Sequence, residues 1–396
     1  MEKTAIEKYE YIVKKYLNIE LEIKDKTKRN NCIGPFAEKN VFNKYKTNFC
    51  RRLTRLSKII KNPEEIEELK HKLQDLASEE GCKWSGPYSE LVALDFYSGN
   101  RFIHDLKYIN TMEASSESGS LAQLNGKTTI DIDLSFTFMH TRIFTDIKSY
   151  IPTHIEILDN IIEDIQTKTH RKVLIGVNDL KSDSFLTIRT DLCSNQNDIK
   201  KTLSAAITQE EPSVTYKTPS GKNYDFRICY CDKNQNTLIT ERSTNPYELA
   251  SNDKYKFLNY SNKLLKSNYS FLTFVLNPWF NKEDFDMDQT YFRSVARRVF
   301  IEFEKDDTIA QNYFPKENSN TTITFSDISK NIAGIVFIKD KSITATKRDF
   351  LYEGYIYLNP NYINKDPLSV FDLCDFSQGS SLCKIVDMDD FQYDNY

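Results

Sequence analysis

The sequence predicts an α/β (α+β) chain in which a helical, basic N-terminal region precedes a mixed-sheet core with an inserted middle segment. Three observations carry that prediction. Apolar residues recur at helical spacing through most of the first 80 positions, then alternate over 102–112 and 128–138 as they do in strands. Helix and strand patterns intermix after that point rather than segregate. At 396 residues the chain exceeds one minimal core, so two or three subdomains are expected.

The elements follow in order. Residues 2 to 17 and 49 to 80 read as helices, and Asn62-Pro63-Glu64-Glu65 restarts the second with a capping side chain and a proline suited to the first turn. Gly81 to Pro87 breaks the pattern. Ser89 to Tyr97 is a short apolar helix stopped by Ser98-Gly99-Asn100, and Phe102 to Met112 alternates as a strand. Glu113 to Ser120 is a polar loop. Thr128 to Phe138 is the strongest strand pattern. Ile130, Ile132, Leu134, Phe136 and Phe138 face one way, and Asp131, Asp133, Ser135 and Thr137 the other. A turn at Met139-His140-Thr141 leads into a strand from Arg142 to Ile147. A helix over 153–169 and a buried strand from Lys172 to Val177 come next. Residues 178 to 270 mix short elements with polar loops. Beyond them lie the apolar run Phe271 to Leu276, a helix from Asp288 to Glu304, a strand from Ile332 to Ile338, and Tyr355 to Leu358. The expected divisions are therefore 1–83, 84–177, 178–270, 271–365 and an acidic tail, 366–396.

Composition narrows the function classes. No apolar run approaches the length of a membrane span, so no membrane partner is expected. The N-terminus carries acidic residues within an amphipathic pattern and reads as neither a secretory nor a transit signal, which points to the cytoplasm. Eight cysteines include no CxxC pair, and five histidines do not complete a zinc spacing, so reduced, mostly buried thiols are expected. The net charge of −4 conceals an asymmetry: residues 1 to 63 hold 16 basic and 7 acidic side chains. The excess peaks at Arg51, Arg52, Arg55, Lys58 and Lys61, opposite Leu53, Leu56, Ile59 and Ile60, a stripe suited to phosphates. Arg297 and Arg298, near Arg293, form a second candidate nucleic-acid contact. The tail holds seven Asp against one Lys, as a solvated end, a docking segment or a charge mimic would.

The candidate chemistry lies at Glu90, at Asp131 and Asp133, and at Asp146-Ile147-Lys148. A hairpin centred near His140 places Asp133 roughly opposite Asp146, with Asp131 a step further along the same face. Strands do not normally collect acids, because neighbouring carboxylates repel. A divalent cation resolves that conflict: Mg2+ (or Mn2+) takes carboxylate oxygens and waters. Lys148 shares a face with Asp146, and a cation beside a metal-bound water suits attack on a phosphodiester.

A helical Glu, an acidic strand and then Asp-x-Lys on the next strand resembles the PD-(D/E)XK, restriction-endonuclease-like nuclease superfamily. Glu90 matches the helical acid, Asp131 or Asp133 the first motif acid, and Asp146-Ile147-Lys148 the second half. No Pro precedes either Asp, and Asp stands where Glu is commoner. The resemblance covers about 84–177; the late Arg-rich helix and the strand Ile332 to Ile338 look like closing elements of such a sheet, which makes 178–270 an insertion. It implies a magnesium-dependent endonuclease acting on DNA, with a role in restriction or antiphage defence and with a homodimer or a defence-system partner.

Two other readings use the same residues. Gly119-Ser120 followed by Asp131-Ile132-Asp133 resembles the nucleotidyltransferase signature, with Asp225 as a third carboxylate; that reading leaves Asp146 and Lys148 idle. A catalytically inactive nucleic-acid-binding or interaction protein is the third.

Overall fold

The structure is a computed structural model. It describes residues 4–26, 31–37, 40, 42–79, 83–100, 102–108, 112–113, 129–130, 132–138, 140–150, 161–162, 165, 173–178, 191–192, 194–230, 247, 250–251, 254, 269–279, 286–309, 323–362, 376–378 and 381–386. The chain divides into two compact units, one of residues 1–150 and 257–396, the other of residues 151–256. The α/β class is observed, with helices and a mixed sheet in the first unit. Among the described residues no helix is long and apolar enough to cross a membrane.

The first unit opens with four helices: α1 (Ala5–Leu17), α2 (Asn43–Ile59), α3 (Pro63–Ser78) and α4 (Ser85–Ser98). Thr4 caps α1 in a reciprocal box with Glu7, and Asn18 ends it in the left-handed region at φ 58°. Asn62 accepts from the Glu64 N–H and Pro63 fills the first turn of α3, as its sequence predicts. Seven of the eight residues from Leu91 to Ser98 are buried, so this half of α4 is covered on all sides.

Its strands are β1 (Ile103–Tyr108), β2 (Met112–Glu113), β3 (Thr129–Ile130), β4 (Leu134–Phe138) and β5 (Thr141–Tyr150), then β9 (Tyr269–Leu276), β10 (Gly334–Asp340), β11 (Tyr352–Leu358), β12 (Phe376–Gln378) and β13 (Ser381–Val386). Eight of them form one sheet in the order β1-β4-β5-β9-β10-β11-β13-β12, while β2 and β3 pair with each other. β1, β4 and β5 are an antiparallel meander, and β5, β9 and β10 run parallel. The central strands β9 and β10 are buried almost throughout, which is why they read as continuous apolar runs rather than alternations. At Gly334 a Cβ would stand 3.0 Å from the Phe271 ring and 3.1 Å from the Tyr357 carbonyl oxygen, so the tight approach there suits glycine.

A helix covers each sheet face. On one face Tyr97 of α4 lies over Phe136, its ring centroid 4.6 Å away, and its hydroxyl meets Thr273 at 2.6 Å. On the other, the helix Asp286–Arg297 stacks Phe292 on Phe337 at 4.1 Å and meets Tyr150 through Tyr291. That helix continues through a wider turn at Arg298–Glu302 and a tight one to Lys305, matching the extent expected from sequence.

Three expectations are corrected. The core does not run to residue 177. Its first stretch ends with β5 and the sheet resumes at β9, while β6 (Val173–Asn178) joins β7 (Ser213–Lys217) and β8 (Asn223–Tyr230) in the separate three-stranded sheet of the second unit. That unit has its own core, where α5 (Gln196–Thr208) supplies Ile199, Leu203 and Ile207 beside Tyr224, Phe226 and Ile228. We therefore label Asp286–Arg297 α6 and the later Phe325–Asn331 helix α7. The acidic segment 366–396 is not wholly a tail, because β13 pairs in parallel with β11 over six positions. The single strand expected over 128–138 is broken at Ile132 and Asp133, so its two parts belong to different sheets. Most of the helix expected over 153–169 lies outside the described residues. Among the described cysteines Cys32 is buried, Cys50 half-buried and Cys229 exposed.

Candidate functional site

The site forms where one strand outruns its neighbour. In the β4–β5 hairpin Phe138 pairs with Thr141 and Leu134 with Thr145, so the chain reverses between Phe138 and Thr141, as the sequence predicts. β4 ends at Leu134, but β5 continues to Tyr150 alongside β9. The Ile147 N–H lies beyond the last β4 pairing, and the Asp133 carboxylate accepts it, Oδ2 at 2.6 Å. A side chain thus continues the ladder where the strand stops, and this anchors Asp133 beside β5.

Asp146 and Lys148 alternate with Ile147 and share the face of β5 that also carries Tyr150. The Lys148 ammonium lies 2.7 Å from Asp146 Oδ2 and 4.0 Å from Asp133 Oδ2. The Asp146 side chain is only 1% exposed, against 21% for Asp133 and 29% for Lys148, so the cluster runs from the interior to the surface. A carboxylate that deep is costly without a counter-charge, and Lys148 supplies one.

Glu90, on α4, joins the same electrostatic cluster. Its carboxyl is pushed up to about 7, first by burial and then by the negative charge of Asp133, while Lys72 and Lys148 pull the other way. Lys72 of α3 lies 2.9 Å from Glu90 Oε2 and 3.6 Å from Glu68 Oε1. Burial works against the Lys72 charge, but Glu90, then Glu68 and Asp133, outweigh it and raise its pKa. Tyr108, at the end of β1, turns a shielded hydroxyl into this field. Burial, then Glu90, Glu68, Glu65 and Asp133, drive that hydroxyl well above its ordinary range.

The structure therefore joins Asp133 and Asp146 through Lys148, with Glu90 in the field of Asp133 and Lys148. Asp131, Gly119 and Ser120 lie outside the described residues. Asp225 belongs to the second unit, exposed on β8, where its carboxylate accepts the Thr215 hydroxyl at 2.5 Å. Lys72 and Tyr108 escaped the sequence reading. The Glu68/Lys72 spacing on α3 is that of any solvated helix face, and only the tertiary fold turns Lys72 toward Glu90.

Carboxylate oxygens are the donors Mg2+ or Mn2+ takes, so the chemistry of Glu90, Asp133 and Asp146 suits such an ion. Among the described residues, however, no three His, Cys, Asp or Glu side chains are gathered closely enough to enclose one. Lys148 holds the space between Asp133 and Asp146.

The expected basic stripe is corrected. Arg52 is fully buried: Nη2 donates to Asp340 at 2.9 Å and Nε to the Tyr352 hydroxyl at 2.8 Å. Arg55 forks onto Asp95, its Nε 2.7 Å from Oδ1, and the Tyr352 hydroxyl meets the same carboxylate at 2.5 Å. Tyr88 donates to Asp340 at 2.6 Å. This network fastens α2 and α4 to β10 and β11, so Arg52 and Arg55 are structural cations. Arg51 is half-buried against Asn48, while Lys58 and Lys61 are exposed. Arg298 is also buried, bonded to Ser294 one turn back, which leaves Arg297, half-buried, and Arg293 as the outer cations of α6.

No protein-family model, curated protein or solved structure matches the chain.

Proposed function

We propose that the chain is a metal-dependent nuclease that hydrolyses phosphodiester bonds of nucleic acid, with DNA as its substrate. The observation that carries this reading is the convergence of Asp133, Asp146 and Lys148 at the open end of a hairpin, with Glu90 in the same field. Carboxylates outnumber lysines there, an arrangement stabilised by an added cation. Asp133 and Asp146, the two acids that Lys148 joins, are the residues that would take Mg2+ or Mn2+ on this reading. A bound ion supplies Lewis-acid stabilisation of the phosphoryl oxygens and an activated water.

The chain's own residues divide the remaining work. Asp146 is fixed by burial, Asp133 by the Ile147 N–H. Lys148 screens their repulsion and presents a cation at the surface end of the cluster, where a phosphate can approach. The helix α4, the strand β1 and the β4–β5 hairpin that ends in Asp-x-Lys keep the order in which the PD-(D/E)XK resemblance was drawn, and this supports the same reading. A place in restriction or antiphage defence, in the cytoplasm, belongs to the proposal by analogy with that superfamily.

The test is cleavage of plasmid and oligonucleotide substrates with Mg2+, with Mn2+ and with chelator. Metal-dependent cleavage lost in Asp146→Asn and Lys148→Ala supports the reading. Cleavage that survives both substitutions overturns it.

A further inference from the structure

We propose that the open face of the β1–β4–β5 meander docks the phosphodiester backbone of a DNA duplex, with Arg142 as its anchoring cation and Lys107 beside it. The inference rests on the nuclease reading above for the identity of the polyanion, and it requires no metal ion.

Strand register defines the surface. Leu134, Phe136, Phe138 and Ile143 point into the core beneath α4. The residues that alternate with them emerge on the opposite face, in cross-strand rows. His104, Thr137 and Arg142 form one row, and Lys107, Ser135 and Phe144 the next. Further along β5, the same face carries Asp146, Lys148 and Tyr150. α6 covers this face at Tyr150, Phe337 and Tyr355. At the meander end, His104 and Lys107 are exposed and Arg142 is half-buried.

Arg142 is held in place by three strands. β1 bulges between His104 and Lys107, and there Asp105 takes a left-handed φ of 49°. A bulge re-aims the groups within it; here the Asp105 carbonyl accepts Arg142 Nη1 at 2.9 Å. The Thr137 hydroxyl lies 3.4 Å from the same nitrogen, and the fully buried Ser135 hydroxyl accepts Nη2. All three acceptors are neutral. Among the described residues Arg142 makes no ion pair, and Asp105 is the acid whose charge acts on it. A guanidinium has five N–H donors, so two remain for a phosphate. This separates Arg142 from Arg52 and Arg55, whose charges are met by Asp340 and Asp95. Lys107 adds a second cation in the next row, with Glu65 in its field. The acids Asp133 and Asp146 gather around Lys148 at the other end. At about 3.3 Å per residue, the six steps from Arg142 to Lys148 span about 20 Å. A duplex strand presents one phosphate per about 3.4 Å of axis, so a single backbone reaches from the acidic cluster to Arg142.

Full-length wild type, Arg142→Gln, Lys107→Gln and Lys217→Gln are titrated against a fluorescently labelled DNA duplex by anisotropy, over a salt series and in chelator. Lys217, exposed on β7 of the other unit, is the control for a general loss of charge. Arg142→Gln and Lys107→Gln should each weaken binding about 10-fold at about 0.1 M salt and flatten the slope of log affinity against log salt by about 0.9. Lys217→Gln should bind as wild type does. Wild-type affinity and slope in either Arg142→Gln or Lys107→Gln overturns the inference, and so does an equal flattening in Lys217→Gln. If Arg142→Gln does not fold, Lys107→Gln decides alone. Binding that depends on Arg142 and Lys107, without cleavage in Mg2+ or Mn2+, defeats the nuclease reading and leaves the docking face standing. Cleavage lost in Lys148→Ala, with binding indifferent to Arg142 and Lys107, defeats the docking face alone.

Discussion

Asp133 Oδ2 accepts the Ile147 N–H at 2.6 Å while standing 4.0 Å from the Lys148 ammonium. One carboxylate thus closes the sheet where β4 stops and contributes charge to the candidate site. The two roles are separable by substitution.

Asp133→Asn keeps an acceptor for the Ile147 N–H and removes the charge; Asp133→Ala removes both. Asp133→Asn should melt close to wild type and lose metal-dependent cleavage. Asp133→Ala should also lose about 1–3 kcal/mol of stability, the cost of a shielded N–H left unpaired. Thermal melts and cleavage assays on both variants check this. Equal melting temperatures for the two would show that the N–H finds another acceptor.

The buried Arg52–Asp340–Asp95 network yields a stability prediction. Arg52→Met leaves Asp340 and Asp95 in the interior with less compensation, a loss of about 3–5 kcal/mol where a buried pair is broken. Lys58→Ala, on the same helix but exposed, should stay within about 0.5 kcal/mol of wild type. Urea denaturation of the two variants is the measurement. Similar midpoints would mean that Arg52 contributes no net stabilisation.

The contrast between Arg52 and Lys58 also marks what the sequence could show. Helix starts such as Asn62-Pro63 and the β4–β5 hairpin were legible because capping chemistry and two-residue alternation are local. The juxtaposition of Asp133 with Asp146 followed from hairpin register alone. The fate of Arg52 and Arg55 was not legible: their partners Asp340 and Asp95 lie 288 and 40 positions away. A buried cation and a solvated one look alike in a helical stripe. Lys72 was hidden for the same reason. The inserted unit was placed too late because Lys172 to Val177 has the apolar run of a core strand, and nothing local says which sheet it joins.

Glu90 gives a pH dependence with a definite sign. Its carboxyl is raised from an ordinary 4.5 to about 7, by burial first and Asp133 second. Between those values the folded chain retains a proton that the unfolded chain has released. The stability contributed by this group is therefore present in full below pH 4.5, declines as pH rises, and is lost above about 7. Glu90→Gln removes that decline, so its stability relative to wild type should be higher at pH 8 than at pH 5. Urea midpoints of both proteins at the two pH values test it, and an identical pH slope would contradict the raised carboxyl.

Asp225 separates the nuclease from the nucleotidyltransferase. It is exposed on β8, in the unit that does not contain Asp146 and Lys148. On the nuclease reading, Asp225→Ala should leave cleavage unchanged while Lys148→Ala abolishes it. Transfer of labelled nucleotide from a triphosphate, lost in Asp225→Ala and kept in Lys148→Ala, would establish the opposite assignment.

The last prediction concerns how a polyanion is held by an acidic site. The N-terminal excess of cations is smaller at the surface than its sequence implies, because Arg52 and Arg55 are consumed by Asp340 and Asp95. Arg51 is a poor probe, since its partner Asn48 also donates to the Ser342 and Ala345 carbonyls and any substitution mixes binding with stability. Lys58 and Lys61 are exposed and are the clean probes. Each phosphate they neutralise contributes about 0.9 to the slope of log affinity against log salt. Lys58→Ala/Lys61→Ala should therefore weaken binding to all duplex sequences alike and flatten that slope by about two units, with melting temperature and turnover at saturating substrate unchanged. Fluorescence anisotropy with a labelled duplex over a salt series measures both quantities. If slope and affinity match wild type, the helix surface plays no part in binding, and Arg293 and Arg297 on α6 become the next residues to replace.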